Sequence, residues 1–199
     1  MNLTLANQLT ILRMALVPVL AILVTYGYFG WALVVFVVAG LTDILDGLVA
    51  RLRKEKTRLG ILLDPLADKA LVATSLVVLS LPSSDLTVRF PAWLVILAIG
   101  RDAGIVVTAL VISLAVGSRV FPPSVWGKLT TGVQLATILW VFWCNFRGAA
   151  GLLTEVLFGA MAALTIASAL HYMWSVRLLI GEDGGEPAAG QEKPSLSRK

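Results

Sequence analysis

The sequence has few charged residues and almost none of the side chains that build disulfide or zinc sites. Asp, Glu, Lys and Arg make up 14% of the 199 residues, whereas a soluble domain carries about 25%. The single cysteine, Cys144, excludes an internal disulfide framework. With 58% hydrophobic residues and a mean hydropathy of +0.88, the composition indicates an integral membrane protein. The net charge of +4 is small, and we expect no nucleic-acid partner.

Six apolar stretches are each long enough to cross a hydrocarbon core, which takes about 20 helical residues. They cover roughly residues 11–29, 31–51, 60–81, 91–116, 126–146 and 151–177. Residues 1–10 are polar enough to form a helix at the membrane surface, and residues 181–199 have the composition of a disordered tail. We therefore predict an all-α integral membrane domain over residues 1–180, with six transmembrane helices and an N-terminal surface helix, followed by the disordered tail.

Basic side chains are concentrated at one side of this predicted domain. They occupy the second connection, flank the fourth and follow the last span: Arg51, Arg53, Lys54, Lys56, Arg58, Arg119, Lys128, Arg177, Lys193, Arg198 and Lys199. The opposite side has only Arg89 and Arg147. Because basic connections stay on the cytoplasmic side, we expect the second connection and both termini to face the cytoplasm.

Four aspartates lie in or beside apolar sequence on either side of the second connection. Asp43 and Asp46 precede it, and Asp64 and Asp68 follow it, so the members of each pair share one helix face. At about 1.5 Å rise per residue, Asp46 and Asp64 lie roughly 7–9 Å below the connection, and Asp43 and Asp68 roughly 13 Å below it. Two antiparallel helices would therefore bring the acids together in two facing layers.

Acidic side chains inside a membrane indicate a functional site, because an uncompensated carboxylate there costs several kcal/mol. Oxygen-only ligands suit hard divalent cations such as Mg²⁺, Mn²⁺ or Ca²⁺ rather than zinc. The alternatives are ion pairing between helices and the ion path of a transporter. Neither requires the Gly, Ala and Arg residues that stand at fixed distances between the acids.

The chain resembles the CDP-alcohol phosphotransferases, because it matches every fixed position of their signature, Asp43-x2-Asp46-Gly47-x2-Ala50-Arg51-x8-Gly60-x3-Asp64-x3-Asp68. The resemblance implies a six-helix bundle with a surface helix, usually a homodimer in the bacterial inner membrane. It implies transfer of the phosphatidyl group of CDP-diacylglycerol to an alcohol with release of CMP. The implied cofactors are two divalent cations, Mg²⁺ or Mn²⁺.

The resemblance also implies residue roles. Asp43, Asp46 and Asp64 would be metal ligands, and Asp68 would be both a ligand and the general base for the acceptor hydroxyl. Contacts to the nucleotide or to CDP-diacylglycerol would come from Asn7, Gly47, Arg51, Thr57 and Gly60. Three of these assignments have weaknesses or alternatives: Ala6 replaces the proline that precedes the asparagine in many relatives, Arg51 could be a cytoplasmic anchor, and Thr57 could be a solvated loop residue.

The acceptor pocket is predicted from charge. An anionic acceptor needs fixed cations to replace the hydration of its phosphate, and the candidates are Lys69, Arg101 and Lys128, with Lys128 the best of them. Arg101 could instead form a structural pair with Asp102. Glu155 and His171 receive no role.

The identity of the acceptor rests on local sequence. The run Leu63–Lys69 looks like that of phosphatidylglycerophosphate synthases and of the related cardiolipin synthases. Gly40–Gly47 and Gly100–Asp102 lean towards the cardiolipin synthases. We predict glycerol 3-phosphate as the acceptor, with phosphatidylglycerol as the alternative.

Overall fold

The computed structural model describes the backbone of residues 5–53, 58–82, 85–116 and 125–183, and the side chains of residues 8–43, 67–82, 85–108 and 126–174. In these ranges the chain forms six α-helices and no strand. They are α1 (Leu5–Thr25), α2 (Phe29–Arg53), α3 (Arg58–Val78), α4 (Ala92–Val116), α5 (Val125–Arg147) and α6 (Leu152–Asp183). The predicted all-α architecture is confirmed for this part of the chain, and α6 continues slightly beyond the predicted domain boundary at residue 180.

Three helices in the described ranges are both long and apolar enough to cross a membrane. They are the segments Gln8–Thr25, Trp126–Arg147 and Leu152–Trp174, and a shorter apolar segment covers Phe29–Asp43. The chain is therefore an integral membrane protein, whereas six spans remain a prediction. Residues 5–10, which were expected to form a surface helix, run into α1 without a break, so no separate surface helix is seen in the described part.

The core is built from stripes of buried residues at helical spacing. On α1 the stripe contains Thr10, Arg13, Leu20 and Val24, and it packs against α2 and α3. On α2 the stripe consists of Phe29, Ala32, Phe36 and Ala39. The next position in that i, i+3, i+4 series is Asp43, so the apolar stripe of α2 leads directly to the first acid of the motif.

Several buried hydroxyl groups donate to carbonyls of their own helices, as a membrane interior favours. Ser75 donates to the carbonyl of Leu71 at 2.8 Å, and Thr165 donates to that of Met161 at 2.6 Å. These local hydrogen bonds allow polar residues in the core without a partner on another helix.

The connections α1–α2 and α3–α4 meet the end of α5 at one end of the bundle, which we call the distal end. Asn145 accepts from the Val88 amide at 3.0 Å and donates to the Val88 carbonyl at 2.9 Å. Gly27 has a φ of 76° in the α1–α2 turn, and a Cβ there would lie 3.3 Å from Asp85. Helices α1, α3 and α5 therefore run towards the distal end, and the acidic motif lies towards the opposite end.

Candidate functional site

Asp43 is held by an arginine of the first helix. Nη1 of Arg13 lies 2.6 Å from Oδ1 of Asp43, and the Arg13 side chain is fully buried, whereas that of Asp43 is 45% exposed. The arginine reaches this position because Thr10, Arg13 and Leu20 share the buried face of α1. A buried guanidinium requires a carboxylate partner, because removing a charge from water costs several kcal/mol. The pair fixes one oxygen of Asp43 and leaves the carboxylate accessible.

Asp68 is the second motif acid whose side chain is described. It lies within electrostatic range of Asp43 and Arg13, and also of Lys69 and Asp102. Its neighbour Ala67 is fully buried, so this turn of α3 faces the bundle, while Asp68 itself is only partly buried. The structure thus brings together one acid from α2 and one from α3, with a cation from α1 beside them.

A second charged cluster joins α3, α4 and α6. Asp102 accepts from Lys69 Nζ at 2.7 Å through Oδ2 and from Arg101 Nη1 at 2.8 Å through Oδ1. Nη2 of Arg101 donates to the Ser168 hydroxyl at 2.6 Å. The side chains of Arg101 and Asp102 are only 6% and 13% exposed. Both carboxylate oxygens of Asp102 therefore accept a hydrogen bond. Arg101 forms the structural pair with Asp102 that the sequence offered as an alternative.

The other predicted site residues are described to different extents. Asn7 lies in α1, Asp46, Gly47 and Arg51 lie in α2, and Gly60 and Asp64 lie in α3, but their side chains fall outside the described ranges. Thr57 lies outside them altogether. Lys128, in the first turn of α5, is exposed, and among the described residues it has no ion pair or hydrogen bond. The predicted roles of these residues stay predictions.

The donor chemistry of the site fits a hard divalent cation. Asp43 and Asp68 offer carboxylate oxygens from two helices, and the Asp43 side chain stays 45% exposed although Arg13 contacts it. No group of three potential ligands occurs among the described side chains, and Asp46 and Asp64 are not among these. The four acids would together supply the carboxylate set that Mg²⁺ or Mn²⁺ prefers.

Sequence reasoning missed two residues of the site. Arg13 received no role from the sequence, although its spacing from Thr10 and Leu20 marks the buried face of α1. Asp102 was considered only as a partner of Arg101, because nothing in the sequence links it to Lys69, which is 33 residues away. The helical period could have revealed the first, whereas the second required the tertiary packing.

Comparison with known proteins gives one consistent result. Residues 3–175 match the family described as CDP-alcohol phosphatidyltransferase. A "Probable phosphatidylglycerophosphate synthase" of Mycobacterium tuberculosis (strain H37Rv) is 34% identical, with 85% of this chain and 79% of the relative aligned. The "CDP-diacylglycerol--glycerol-3-phosphate 3-phosphatidyltransferase" of Escherichia coli (strain K12) is 33% identical, with 89% and 97% aligned, and that of Salmonella choleraesuis is equally similar at 33%. The resemblance inferred from the motif is confirmed.

Proposed function

Because the chain belongs to the CDP-alcohol phosphatidyltransferase family, we propose that it transfers the phosphatidyl group of CDP-diacylglycerol to sn-glycerol 3-phosphate. The products are phosphatidylglycerophosphate and CMP, and the reaction belongs to phospholipid biosynthesis. The names of its relatives support this acceptor. The structural observation that carries the proposal is that Asp68 of α3 lies within electrostatic range of both Asp43 of α2 and the buried Arg13 that pairs with it.

Asp68 acts on the acceptor. It takes the proton from a hydroxyl of glycerol 3-phosphate while the hydroxyl oxygen forms a bond to the β-phosphorus of CDP-diacylglycerol. The bond from that phosphorus to the bridging oxygen breaks, and CMP leaves with both bonding electrons. A partly buried carboxylate next to the reacting oxygen suits this role, since a general base must lie within hydrogen-bond reach of its proton.

Asp43, Asp46, Asp64 and Asp68 would hold two divalent cations, Mg²⁺ or Mn²⁺, which when bound neutralise the pyrophosphate and the departing CMP. Arg13 holds Asp43 in a single orientation, so this carboxylate does not have to be ordered when substrate arrives. Asn7, Gly47, Arg51, Thr57 and Gly60 contact the nucleotide end of the substrate.

Lys128 is the main contact for the acceptor phosphate. It is exposed and, among the described residues, no carboxylate neutralises it. Lys69 and Arg101 contribute positive charge to the same pocket from a fixed position, although Asp102 offsets part of it. Arg101 Nε is buried and has no hydrogen-bond partner in the described part, so it is available to an acceptor oxygen.

The active site and both termini face the cytoplasm, where CDP-diacylglycerol presents its nucleotide and glycerol 3-phosphate is dissolved. This topology follows from the basic connections on that side. The protein works as a homodimer in the bacterial inner membrane, surrounded by membrane lipids.

The test is CMP release by the purified protein in lipid nanodiscs. With CDP-diacylglycerol and Mg²⁺ or Mn²⁺, glycerol 3-phosphate should release CMP at a rate well above that without acceptor, and a chelator should abolish the release. Faster release with phosphatidylglycerol would instead identify a cardiolipin synthase, the alternative favoured by Gly100–Asp102. Ion flux in sealed vesicles without CMP release would identify a transporter.

A further inference from the structure

A cavity of about 280 Å³ lies between α3 and α4, with α5 behind it. The two helices make little contact with each other, and the space is lined mainly by aliphatic side chains, among them Val72, Leu76 and Val107. Val107 and its neighbour Val106 are more than half exposed, so the cavity opens sideways towards the surrounding hydrocarbon. A lipid chain could therefore enter without crossing a polar surface.

The cavity also contains an unused hydrogen-bond donor. Gln134 of α5 lines it and is only 3% exposed. Its Nε2 has no hydrogen-bond partner in the described part of the chain. A buried amide donor without a partner is destabilising, so this side chain fits a ligand that carries an acceptor at the same depth.

The polar end of the cavity adjoins the reaction site. Lys69 and Asp102 line it there, and Lys69 follows Asp68 directly in the sequence. From Lys69 to Leu76 the cavity follows α3 for roughly 10 Å, towards the distal end and away from the acidic motif. A substrate whose phosphorus lies at Asp68 would place its ester groups first and its hydrocarbon chain further along this path.

We propose that the cavity binds one acyl chain of CDP-diacylglycerol, with Gln134 Nε2 donating to the ester carbonyl of that chain. The proposal rests on the proposed function for its choice of lipid. It adds a subsite that selects an ester-linked lipid substrate and fixes the glycerol backbone beside Asp68. A soluble acceptor has no use for an aliphatic cavity of this kind.

Photolabelling tests the occupant without relying on turnover. CDP-diacylglycerol with a diazirine on one acyl chain should label residues 72–76 of α3 and 103–107 of α4 in nanodiscs. Ala73 lines the cavity, and Ala73→Phe should lower this labelling about tenfold, because excluding even two methylenes costs that much in affinity. The matched control is Ala163→Phe, on an exposed position of α6 outside the cavity, and it should label like the wild type.

Competition identifies the lipid. Unlabelled CDP-diacylglycerol should suppress the labelling, whereas phosphatidylcholine at the same concentration should not. Equal suppression by both lipids, or equal labelling of the Ala73→Phe and Ala163→Phe variants, would overturn the proposal. A failure of the proposed function would appear separately, as absence of CMP release with glycerol 3-phosphate while the labelling pattern is unchanged.

The hydrogen bond is tested with an ether-linked analogue that lacks the ester carbonyls. Gln134→Leu should lower the preference for the ester over the ether substrate about fivefold, which corresponds to the net contribution of one hydrogen bond. Thr137→Val serves as the control, because Thr137 is buried on the same helix but already donates to the Val133 carbonyl at 2.7 Å. If the Gln134→Leu variant keeps the preference for the ester substrate, Gln134 does not donate to the ester carbonyl.

Discussion

Two buried arginines of this protein form ion pairs of opposite character. Arg13 contacts an aspartate that is 45% exposed and has a second motif acid nearby. Arg101 contacts an aspartate that is 13% exposed and whose other oxygen is bound to Lys69. An arginine–aspartate ion pair therefore leaves the carboxylate of Asp43 accessible, whereas the carboxylate of Asp102 is enclosed by its partners.

The difference separates a carboxylate that can still bind a ligand from one whose oxygens are used in packing. The Asp102 cluster links three helices, and a cluster whose carboxylate oxygens are both bound stabilises packing. The Asp43 side chain stays 45% exposed beside Arg13, so it can still accept a ligand. Substitutions in the two clusters should consequently have different effects, and the following predictions are arranged by the size of those effects.

The largest difference is expected between Asp68→Asn and Asp102→Asn. Loss of the general base should lower CMP release at least about a hundredfold with little change in thermal unfolding. Asp102→Asn should chiefly lower the unfolding temperature, because it leaves Lys69 and Arg101 without their anion. Near-normal turnover by a folded Asp68→Asn variant would refute the assignment of the base.

The second prediction concerns Arg13. Arg13→Met frees Asp43 to rotate, so more Mn²⁺ should be needed for half-maximal activity, by about tenfold, and Arg13→Lys should recover part of the loss. Mn²⁺ binding measured by electron paramagnetic resonance should weaken in parallel. The matched variant Arg101→Met should lower stability and leave Mn²⁺ binding unchanged; weaker Mn²⁺ binding in that variant would contradict the division into two clusters.

How far the sequence predicts this arrangement depends on the range of the interactions. The period of α2 and the spacing of the motif predicted that Asp43 and Asp68 approach each other, since both follow from helical geometry near one connection. The Lys69–Asp102 and Arg101–Ser168 contacts join residues 33 and 67 positions apart. They depend on how α4 and α6 pack, which no local pattern specifies. Arg13 lies between these cases. The helical period predicts that it is on the buried face of α1, but nothing in the sequence predicts that its partner is Asp43.

The third prediction separates the cations near the acceptor. Lys128→Met should raise the KM for glycerol 3-phosphate about tenfold with a small change in kcat, because an accessible lysine contributes to binding the phosphate. Lys69→Met should raise it less, since the charge of Lys69 is already engaged by Asp102 at 2.7 Å. The reverse order of the two effects would place the acceptor phosphate against α3 rather than α5.

The smallest effect is expected from Ser168→Ala. The substitution removes the 2.6 Å hydrogen bond from Arg101 Nη2 but leaves the contact with Asp102, so unfolding should be easier by about 1–2 kcal/mol. Thr165→Ala is the control, because its hydroxyl bonds only within α6 and its loss should matter less. If Arg101 serves mainly as a joint between α4 and α6, the KM for glycerol 3-phosphate stays the same in Ser168→Ala. An increase in KM without a change in stability would show instead that the main role of Ser168 is to orient Arg101 towards the acceptor phosphate.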